Sequence, residues 1–269
     1  MSESQLFATM SFPEIYERIL VGPLFRPFAT ELIRRLKPRP GDSVIDVACG
    51  TGIAARIARE TLGTSARIVG VDAAPPMLAV ARTVEPSIDW RQGSAAGLPV
   101  GGEERFALAT CHQGLQFFPD KPGAVAEMHR VLSPGGRLGI ATWSALEDLP
   151  AMRELNAVVE RHVGPIADSR HSFGRPEALK ALLVDHGFLD VVVDTFAHDV
   201  RFADGALFAR LNAMAAIGMS DKGKAMNEAE RGELAGRIAT ESADLIARST
   251  TDGMFLLRLT TNIVTAHLQ

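Results

Sequence analysis

Cysteine and tyrosine are scarce in this sequence, and it has no surplus of positive charge. Its 269 residues include one tyrosine and two cysteines, Cys49 and Cys111, and the formal net charge is −4. Both cysteines lie in apolar, strand-like runs, which argues against a disulfide framework and predicts a reducing, cytoplasmic compartment. A chain with no basic surplus is not expected to bind nucleic acid, because the phosphate backbone requires a positively charged face.

Long apolar runs are also missing. No stretch reaches the about 18 residues of a membrane-spanning helix, and no basic segment followed by an apolar core marks a signal peptide. No pair of histidines or cysteines has metal-ligand spacing, so a bound metal is not expected. What remains, with 46% hydrophobic and 22% charged residues, is typical of a soluble enzyme with one large α/β domain.

The N-terminal residues predict two helices. Ser11 and Glu14 form a capping-box pattern, Gly22-Pro23 predicts a break, and a second helix is expected from Pro27 to Leu36. These helices either only pack against the sheet or also cover a ligand site, and we assign residues 1–40 as a lid.

Strands and helices then alternate along the chain. The predicted strands are 43–48, 67–72, 88–92, 106–111 and 137–143, and the predicted helices are 53–62, one from Pro75, and 120–132, with Ser133 to Gly136 as a turn. This alternation is typical of a parallel sheet with crossover helices.

The pattern changes in the last third of the chain. Helices are expected at 150–163 and 176–186, strands at 189–201 and 254–264, and mostly helix at 203–248. We therefore predict a Rossmann-like α/β fold with a seven-stranded, mostly parallel sheet whose last strand is antiparallel. Its divisions are the lid at 1–40, an α/β core at 41–202, a helical cap insert at 203–250 and a final strand at 251–269.

The stretch from Val44 to Gly52 resembles a nucleotide-binding turn. A strand carrying Asp46 ends in Gly50-Thr51-Gly52, and a helical pattern follows at once. Glycines allow close approach of a ligand, and the helix directs its free N–H groups towards it. Asp72, at the end of the second strand, is placed to hold ribose hydroxyls. These features alone leave a nicotinamide dinucleotide open.

Two further features favour a different nucleotide. Asp46 lies inside the first strand, where a carboxylate needs a partner, and a ligand ammonium group would supply one. In addition, Gly93 to Pro99 and the turn Leu132 to Leu138 are not needed to bind a dinucleotide.

With these motifs, the sequence resembles the class I S-adenosylmethionine-dependent methyltransferases, in particular the small-molecule branch that includes the ubiquinone and menaquinone C-methyltransferases. The resemblance rests on Val44–Gly52, on Val69–Asp72 with Met77-Leu78, on Gln92–Pro99 and on Arg130–Gly136, in this order. Each motif is weak alone, but the four together at these spacings are specific.

The resemblance implies a role for each matching residue. Asp46 and the glycine turn would hold the methionine part of the cofactor, Asp72 the ribose, and Ala73 and Met77 the adenine ring. Ser94 stands where the family usually has Asp, so the adenine edge loses a charged acceptor. The residues assigned to S-adenosylmethionine are Tyr16, Asp46, Ala48, Gly50, Thr51, Gly52, Asp72, Ala73, Met77, Ser94, Ala95, His112 and Gln113.

Methyl transfer from a sulfonium requires alignment and exclusion of water, and a base only when the acceptor must lose a proton. His112 follows the fourth strand, in the loop that lies beside the methyl group in this family, and it is the candidate catalytic residue. Contact with the cofactor alone is the other interpretation, since related sequences often have Gln here.

The predicted activity is methyl transfer to O, N or C of a small, apolar or aromatic molecule. The apolar residues of 203–248 suggest that acceptor, although helical spacing also makes them core. The alternatives are a cofactor-binding homologue without methylation activity, acting as a regulator or partner protein, and a nicotinamide-dependent dehydrogenase. A small-molecule acceptor is the expected partner, and a homodimer is left open.

Overall fold

The computed structural model describes residues 9–269, which fall into two compact units. Unit 1 comprises the chain up to Trp143 together with 173–196 and 261–269, and unit 2 comprises 144–172 and 197–260. The first eight residues of the predicted lid lie outside the described residues. The divisions predicted from the sequence at residues 40, 202 and 250 stay predictions.

The strands form one mixed sheet. They are β1 (Val44–Val47), β2 (Ile68–Asp72), β3 (Asp89–Gln92), β4 (Phe106–His112), β5 (Leu132–Trp143), β6 (Leu189–Phe202), β7 (Thr250–Thr251) and β8 (Met254–His267). Their order is β3-β2-β1-β4-β5-β8-β6, and the short β7 pairs with β8. The pairs among β1 to β5 are parallel and β8 is antiparallel to β5, which confirms the predicted Rossmann-like sheet.

The N-terminal segment is continuous helix, and the break predicted at Gly22-Pro23 is wrong. Helix α1 (Phe12–Ile15) leads into a π-helical segment (Tyr16–Phe25) and then into α2 (Arg26–Leu36). A proline lacks the N–H of an α-helical ladder, but in the wider π turns the chain continues past it. The Arg26 N–H, for example, donates to the Val21 carbonyl five residues earlier.

Helices of unit 1 cover the two faces of the sheet. They include α3 (Ile53–Leu62), α4 (Pro75–Val84), α5 (Lys121–Val131) and, after helix α6 (Pro150–Val163) of unit 2, α7 (Pro176–Val184). Val44 of β1 packs with residues of α2, α3 and α4, whereas its neighbours Ile45 and Val47 pack with residues of α5 and α7. Successive strand residues face opposite sides, so Asp46 is placed on the α3 side.

Strand β5 begins earlier than predicted. The residues expected as a turn, Ser133 to Gly136, lie inside the strand. They form an irregularity, because Phe106 pairs with Leu132 and Leu108 already pairs with Arg137. Gly135 has φ +71°, a conformation that glycine adopts without strain. The extra residues bulge out of the ladder rather than ending it.

Unit 2 is mainly helical. It contains α6 (Pro150–Val163), α8 (Gly205–Met219), α9 (Asp221–Lys224), α10 (Glu228–Glu241) and α11 (Ala243–Arg248). Its core is formed by apolar residues of α6, α8 and α10: Val158, Val159, Val163, Ala213, Ala216, Ile217, Leu234, Ala235 and Ile238. The helical content predicted for 203–248 is therefore confirmed. Within residues 9–269 no helix is long and apolar enough to cross a membrane.

Candidate functional site

The turn after β1 has an unusual backbone. Ala48 and Gly50 both have φ +57° and Gly52 has φ +91°. The Gly52 N–H donates to the Cys49 carbonyl at 2.8 Å, and α3 begins at the next residue, Ile53. Three positive φ values in five residues reverse the chain between strand and helix, which leaves the first N–H groups of α3 at the carboxyl end of β1.

The two glycines of this turn have different reasons to be glycine. A Cβ on Gly52 would lie 2.2 Å from the Trp90 indole, whereas a Cβ on Gly50 would have nothing within 4 Å among the described residues. The same indole also covers Gly70, where a Cβ would lie 2.3 Å away. Gly52 and Gly70 therefore make room for Trp90, and Gly50 is the glycine that leaves open space for a ligand.

Asp46 is buried and hydrogen-bonded. Its Oδ1 accepts from the Thr110 hydroxyl at 2.7 Å, and its Oδ2 accepts from the Ala55 N–H in the first turn of α3 at 3.1 Å. Thr110 lies beside it because the two residues are paired in β1 and β4. Burial raises the pKa of Asp46 to about 7, an effect that the charge of Asp72 increases and these two hydrogen bonds oppose. The protein itself thus supplies partners that the sequence alone did not reveal.

Asp72 joins two loops at the ends of β1 and β2. Its Oδ2 accepts from the Gly50 N–H and its Oδ1 from the Ala74 N–H, both at 2.8 Å. An ionised carboxylate has about four lone-pair sites, so two remain for other donors. The side chain is partly exposed, and it fixes the glycine turn against the loop that precedes α4.

Thr51 has a buried polar atom that stands out. Its side chain is 1% exposed, and its Oγ1 has no hydrogen-bond partner within the described chain. A buried hydroxyl without a partner costs about 1–3 kcal/mol. The unpartnered hydroxyl, the open space at Gly50 and the remaining lone pairs of Asp72 fit a polar ligand seated at this turn.

The four residues predicted to contact adenine are exposed or only half-buried. Ala73 and Ser94 are exposed, and Met77 and Ala95 are half-buried. The Ser94 hydroxyl accepts from the Ala96 N–H at 3.3 Å, which shapes its own loop. No charged acceptor is found at Ser94 itself, which is the departure from the family noted above.

Tyr16 begins the π-helical segment and faces the same region. Its ring is 5.0 Å from that of Phe25, and burial together with the charges of Glu17 and Asp72 raises the pKa of its hydroxyl. The neighbouring Glu17 forms a two-oxygen ion pair with Arg56 of α3, at 2.8 and 3.0 Å. This pair fixes the N-terminal segment to the helix that follows the glycine turn.

His112 is the last residue of β4, whereas the sequence pattern predicted it just after that strand. Its side chain is 8% exposed, and its Nε2 has no hydrogen-bond partner in the part of the chain that the structure describes. Burial lowers its pKa to about 3, so the imidazole is neutral near pH 7. Its ring stands edge-on to Phe25 at 6.2 Å. A neutral ring with an unpartnered nitrogen can accept or donate one further hydrogen bond.

Gln113, by contrast, is fully engaged with the protein. Its N–H donates to the Ala141 carbonyl at 2.8 Å and its Nε2 donates to the Thr261 hydroxyl at 2.9 Å. It also has φ +56°, so the loop bends sharply here. Gln116 donates back to the Gln113 carbonyl at 3.1 Å. These bonds shape the loop that positions His112.

The structure therefore brings together the residues of the loops after β1 and β2. It also shows hydrogen-bond, packing and ion-pair partners that the sequence analysis missed. Thr110, Trp90 and the Glu17–Arg56 pair were not singled out. Only strand pairing could have pointed to Thr110, because it is far from Asp46 in sequence. Trp90 had one signal, since Gly70 lies inside β2 and a glycine within a strand often marks the close approach of another group.

Comparison with known proteins identifies relatives that are methyltransferases. A family model described as a methyltransferase domain matches residues 44–136. The chain is 34% identical over 164 residues to the 2-phytyl-1,4-naphtoquinone methyltransferase of Thermosynechococcus vestitus, covering 55% of this chain and 72% of that protein. It is 30% identical over 192 residues to the nocamycin O-methyltransferase of Saccharothrix syringae, covering 62% of this chain and 66% of that protein.

A solved structure shows the same fold. The putative methyltransferase of Bacillus halodurans superposes with a TM-score of 0.57 at 21% identity, covering 89% of this chain and 97% of that one. The strand order, the glycine turn with its two acids and these relatives agree. The chain belongs to the class I S-adenosylmethionine-dependent methyltransferases, resembles their quinone C-methyltransferases, and uses S-adenosylmethionine as its cofactor.

Proposed function

We propose that this enzyme transfers a methyl group to an oxygen, nitrogen or carbon atom of a small apolar or aromatic molecule. The observation that carries the proposal is the turn after β1, where an open Gly50, the unpartnered Thr51 hydroxyl and the Asp72 carboxylate lie together. The relatives named above have a naphthoquinone and nocamycin in their names, and both are small molecules.

The cofactor would be held by residues at the ends of β1 and β2. Asp72 would accept from the ribose hydroxyls with its two remaining lone pairs, and the Thr51 hydroxyl and the N–H groups at the start of α3 would face the methionine part. Ala73 and Met77 would pack against adenine, and the loop at Ser94-Ala95 would meet its edge. When bound, S-adenosylmethionine supplies an electrophilic methyl group on sulfur, and its departing thioether is neutral.

Asp46 supports this site in a second way. Since both of its oxygens already accept hydrogen bonds from the protein, its first contribution is to hold α3 and β4 in place behind the turn. A contact with the cofactor ammonium group would use its remaining lone pairs. Tyr16 and the N-terminal helices would then cover the cofactor as a lid, held by the Glu17–Arg56 pair.

His112 is proposed to face the reacting group. With a pKa of about 3 in the free protein, its imidazole is a weak base, so its neutral nitrogen is better suited to hold the acceptor or the cofactor than to remove a proton. Gln113 would meet the cofactor mainly through its backbone, because its side chain is bound to Thr261.

Binding of the cofactor is the first test. Isothermal titration calorimetry should show tight binding of S-adenosylhomocysteine and none of NAD. Binding of NAD alone would overturn the proposal and favour a dehydrogenase. Loss of S-adenosylhomocysteine binding in a Thr51→Val variant, with an unchanged melting temperature, would assign the unpartnered hydroxyl to the cofactor.

Methylation is the second test. The enzyme is incubated with radiolabelled S-adenosylmethionine and a panel of phenols, hydroxynaphthoquinones and aromatic amines, and label transferred to an acceptor is counted. Transfer to one class identifies the acceptor. Inactivity across the panel, with normal cofactor binding, would favour the alternative of a regulatory or partner protein.

The remaining assignments are also proposals. We propose a cytoplasmic enzyme that binds no nucleic acid and no resident metal, with the homodimer as the form to test. Light scattering measures the mass in solution, and a doubled mass would establish the dimer.

A further inference from the structure

A network of polar side chains lies inside unit 2, apart from the residues assigned above. We call it the Asp168 cluster, and it consists of Ser144, Asn156, Asp168, Arg170, His171 and Asn212. These residues come from three distant parts of the chain: the segment after β5, helix α6 with the loop that follows it, and helix α8. Several of these polar side chains are buried, next to a unit core that is apolar.

The charged members of the Asp168 cluster neutralise each other. Arg170 donates from Nε to Asp168 Oδ1 at 2.8 Å and from Nη2 to Asp168 Oδ2 at 2.6 Å. Asn156 adds a bond from Nδ2 to Asp168 Oδ2 at 2.7 Å. The pKa of Asp168 falls to about 2, because these bonds and the Arg170 charge outweigh its burial. The pair contributes one positive and one negative charge, which cancel.

Two buried donors of the cluster have no partner. The Asn212 side chain is 6% exposed, and its Oδ1 accepts from Arg170 Nη1 at 2.7 Å. Because Arg170 can only donate, this bond fixes which end of the amide is oxygen, and the Nδ2 group is left without a partner among residues 9–269. The Ser144 hydroxyl is 3% exposed and is also unpartnered over the same residues.

The third polar atom is Nε2 of His171, which can accept a hydrogen bond. The His171 Nδ1 lies 2.9 Å from the Ser144 carbonyl. A carbonyl oxygen can only accept, so Nδ1 carries the hydrogen, and in the neutral ring Nε2 holds a free lone pair. Burial lowers the pKa of His171, which keeps the ring neutral at pH 7. The same backbone carbonyl therefore sets both the orientation and the tautomer of the ring.

We propose that the Asp168 cluster binds an uncharged hydroxyl group of a small molecule within unit 2. A hydroxyl oxygen accepts from the Asn212 amide or the Ser144 hydroxyl, and its hydrogen is donated to His171 Nε2.

Other ligand chemistries fit the Asp168 cluster less well. A carboxylate or phosphate would need a cation, and Arg170 is already paired with Asp168 through two bonds. An ammonium group would need a free carboxylate, and both Asp168 oxygens are occupied. Met219 lies at the edge of the cluster, where its sulfur accepts from Ser169 at 3.3 Å. A polarisable thioether favours an aromatic ring beside the hydroxyl.

Three naphthalene probes separate these chemistries: 2-naphthol, 2-methoxynaphthalene and 2-naphthoate. Their affinities are measured by equilibrium dialysis against the full chain saturated with S-adenosylhomocysteine. We expect 2-naphthol to bind about five- to tenfold more tightly than 2-methoxynaphthalene, which cannot donate to His171. Tighter binding of 2-naphthoate, equal binding of all three, or no binding of any would overturn the proposal.

Three variants test the residues. Ser144→Ala removes one donor, Asn212→Asp removes the amide N–H but keeps the bond to Arg170, and His171→Asn keeps a donor for the Ser144 carbonyl but loses Nε2. Each should lower the affinity for 2-naphthol by about five- to tenfold, while the affinity for 2-methoxynaphthalene changes less. Ser172→Ala, in the same loop but exposed, is the matched control and should leave 2-naphthol binding unchanged.

A melting curve separates a binding role from a structural one. Since the Ser144 hydroxyl is buried without a partner, Ser144→Ala should leave the melting temperature unchanged or raise it, even as 2-naphthol binding weakens. A lowered melting temperature with unchanged 2-naphthol binding would show a structural role and overturn the proposal. If the proposed methylation itself fails, S-adenosylhomocysteine binding or label transfer is lost, and both readouts are independent of these probes.

Discussion

The loops after β1 and β4 end neighbouring strands of the same sheet, yet they use their polar groups differently. Beside the first loop, Asp46 of β1 and Asp72 at the end of β2 each accept two hydrogen bonds from the protein. At the start of the second loop, the imidazole of His112, the last residue of β4, is buried with an Nε2 that no described residue partners. Hydrogen bonds within the protein fix the shape of the first loop. At the second loop, by contrast, one buried nitrogen has no hydrogen-bond partner among the described residues.

This difference matches the two ligands of a methyltransferase. The donor is the same molecule in every turnover, so a preformed turn lowers the entropy lost when it binds. The acceptor differs between members of the family, and polar atoms that face it are free to differ as well. Under the proposed assignments, the fold would fix the side that binds the donor, and single side chains such as His112 would determine the side that binds the acceptor.

The largest expected effect comes from filling the first loop. Gly52→Ala puts a Cβ 2.2 Å from Trp90 at a residue with φ +91°. Left-handed strain and overpacking together should lower the free energy of unfolding by about 5 kcal/mol, measured by urea denaturation. Gly50→Ala is the matched control, and strain alone should lower its stability by only about 1–2 kcal/mol. Equal losses in the two variants would contradict the role given to Trp90.

The second effect depends on pH. The folded state raises the pKa of Asp46 from 3.8 to about 7, so it holds the proton more tightly than the unfolded chain does. The stability from protonated Asp46 is complete below pH 3.8 and is lost as the pH rises through about 7. Asp46→Asn cannot ionise. Its unfolding free energy relative to the unaltered chain should therefore rise by about 3 kcal/mol between mildly acidic and alkaline pH.

Urea denaturation at several pH values measures this shift. Thr110→Val leaves the carboxyl group in place but removes a hydrogen bond that opposes the rise of its pKa, so this variant should retain the pH dependence and make it larger. A difference between Asp46→Asn and the unaltered chain that stays constant across pH would show that folding does not shift the pKa of Asp46, and it would contradict this prediction.

The third effect concerns cofactor affinity. Asp72→Asn loses the charge that strengthens hydrogen bonds from ribose hydroxyls and from the Gly50 N–H. The dissociation constant of S-adenosylhomocysteine should rise about tenfold or more. Calorimetry measures it, and Ser94→Ala, in the exposed loop, should change it by less than about threefold because that hydroxyl is neutral. An unchanged affinity in Asp72→Asn would refute the ribose role.

The smallest effect is expected from changing His112, at the start of the second loop. His112→Gln should change turnover by less than about threefold, because a neutral carboxamide can make the same single hydrogen bond. His112 itself should contribute no pH dependence to the rate between pH 6 and 8, so the unaltered enzyme and His112→Gln should have the same pH profile, since burial holds the pKa of His112 near 3. A loss of about a hundredfold, with a rate that rises with pH, would instead identify His112 as a general base.

Much of the fold could be read from the sequence because its cues are local. Helix α3 spans the predicted residues, Ile53–Leu62, since glycines bound it at both ends. The prediction failed where a local rule has an exception. Pro23 suggested a helix break, but the π-helical segment continues past it. Likewise, Ser133 to Gly136 read as a turn, but β5 includes them as a bulge.

The site was predictable in part. Asp46 and the glycine turn lie close together in sequence, and the proximity of Asp72, at the end of the neighbouring parallel strand, follows from the fold. Thr110 as the partner of Asp46 required the strand register. The Asp168 cluster could not be predicted at all, because Asn156, Arg170 and Asn212 meet only after helices α6 and α8 have packed.

The position of Trp90 has an optical consequence. The chain contains two tryptophans, and the indole of Trp90 lies against Gly52 and Gly70, while Trp143 contacts Phe25 and Phe28. The first therefore reports on the shape of the glycine turn, and the second on the helical segment that contains Tyr16. In a Trp143→Phe variant, the fluorescence of Trp90 alone would report on the shape of the glycine turn, without any attached dye.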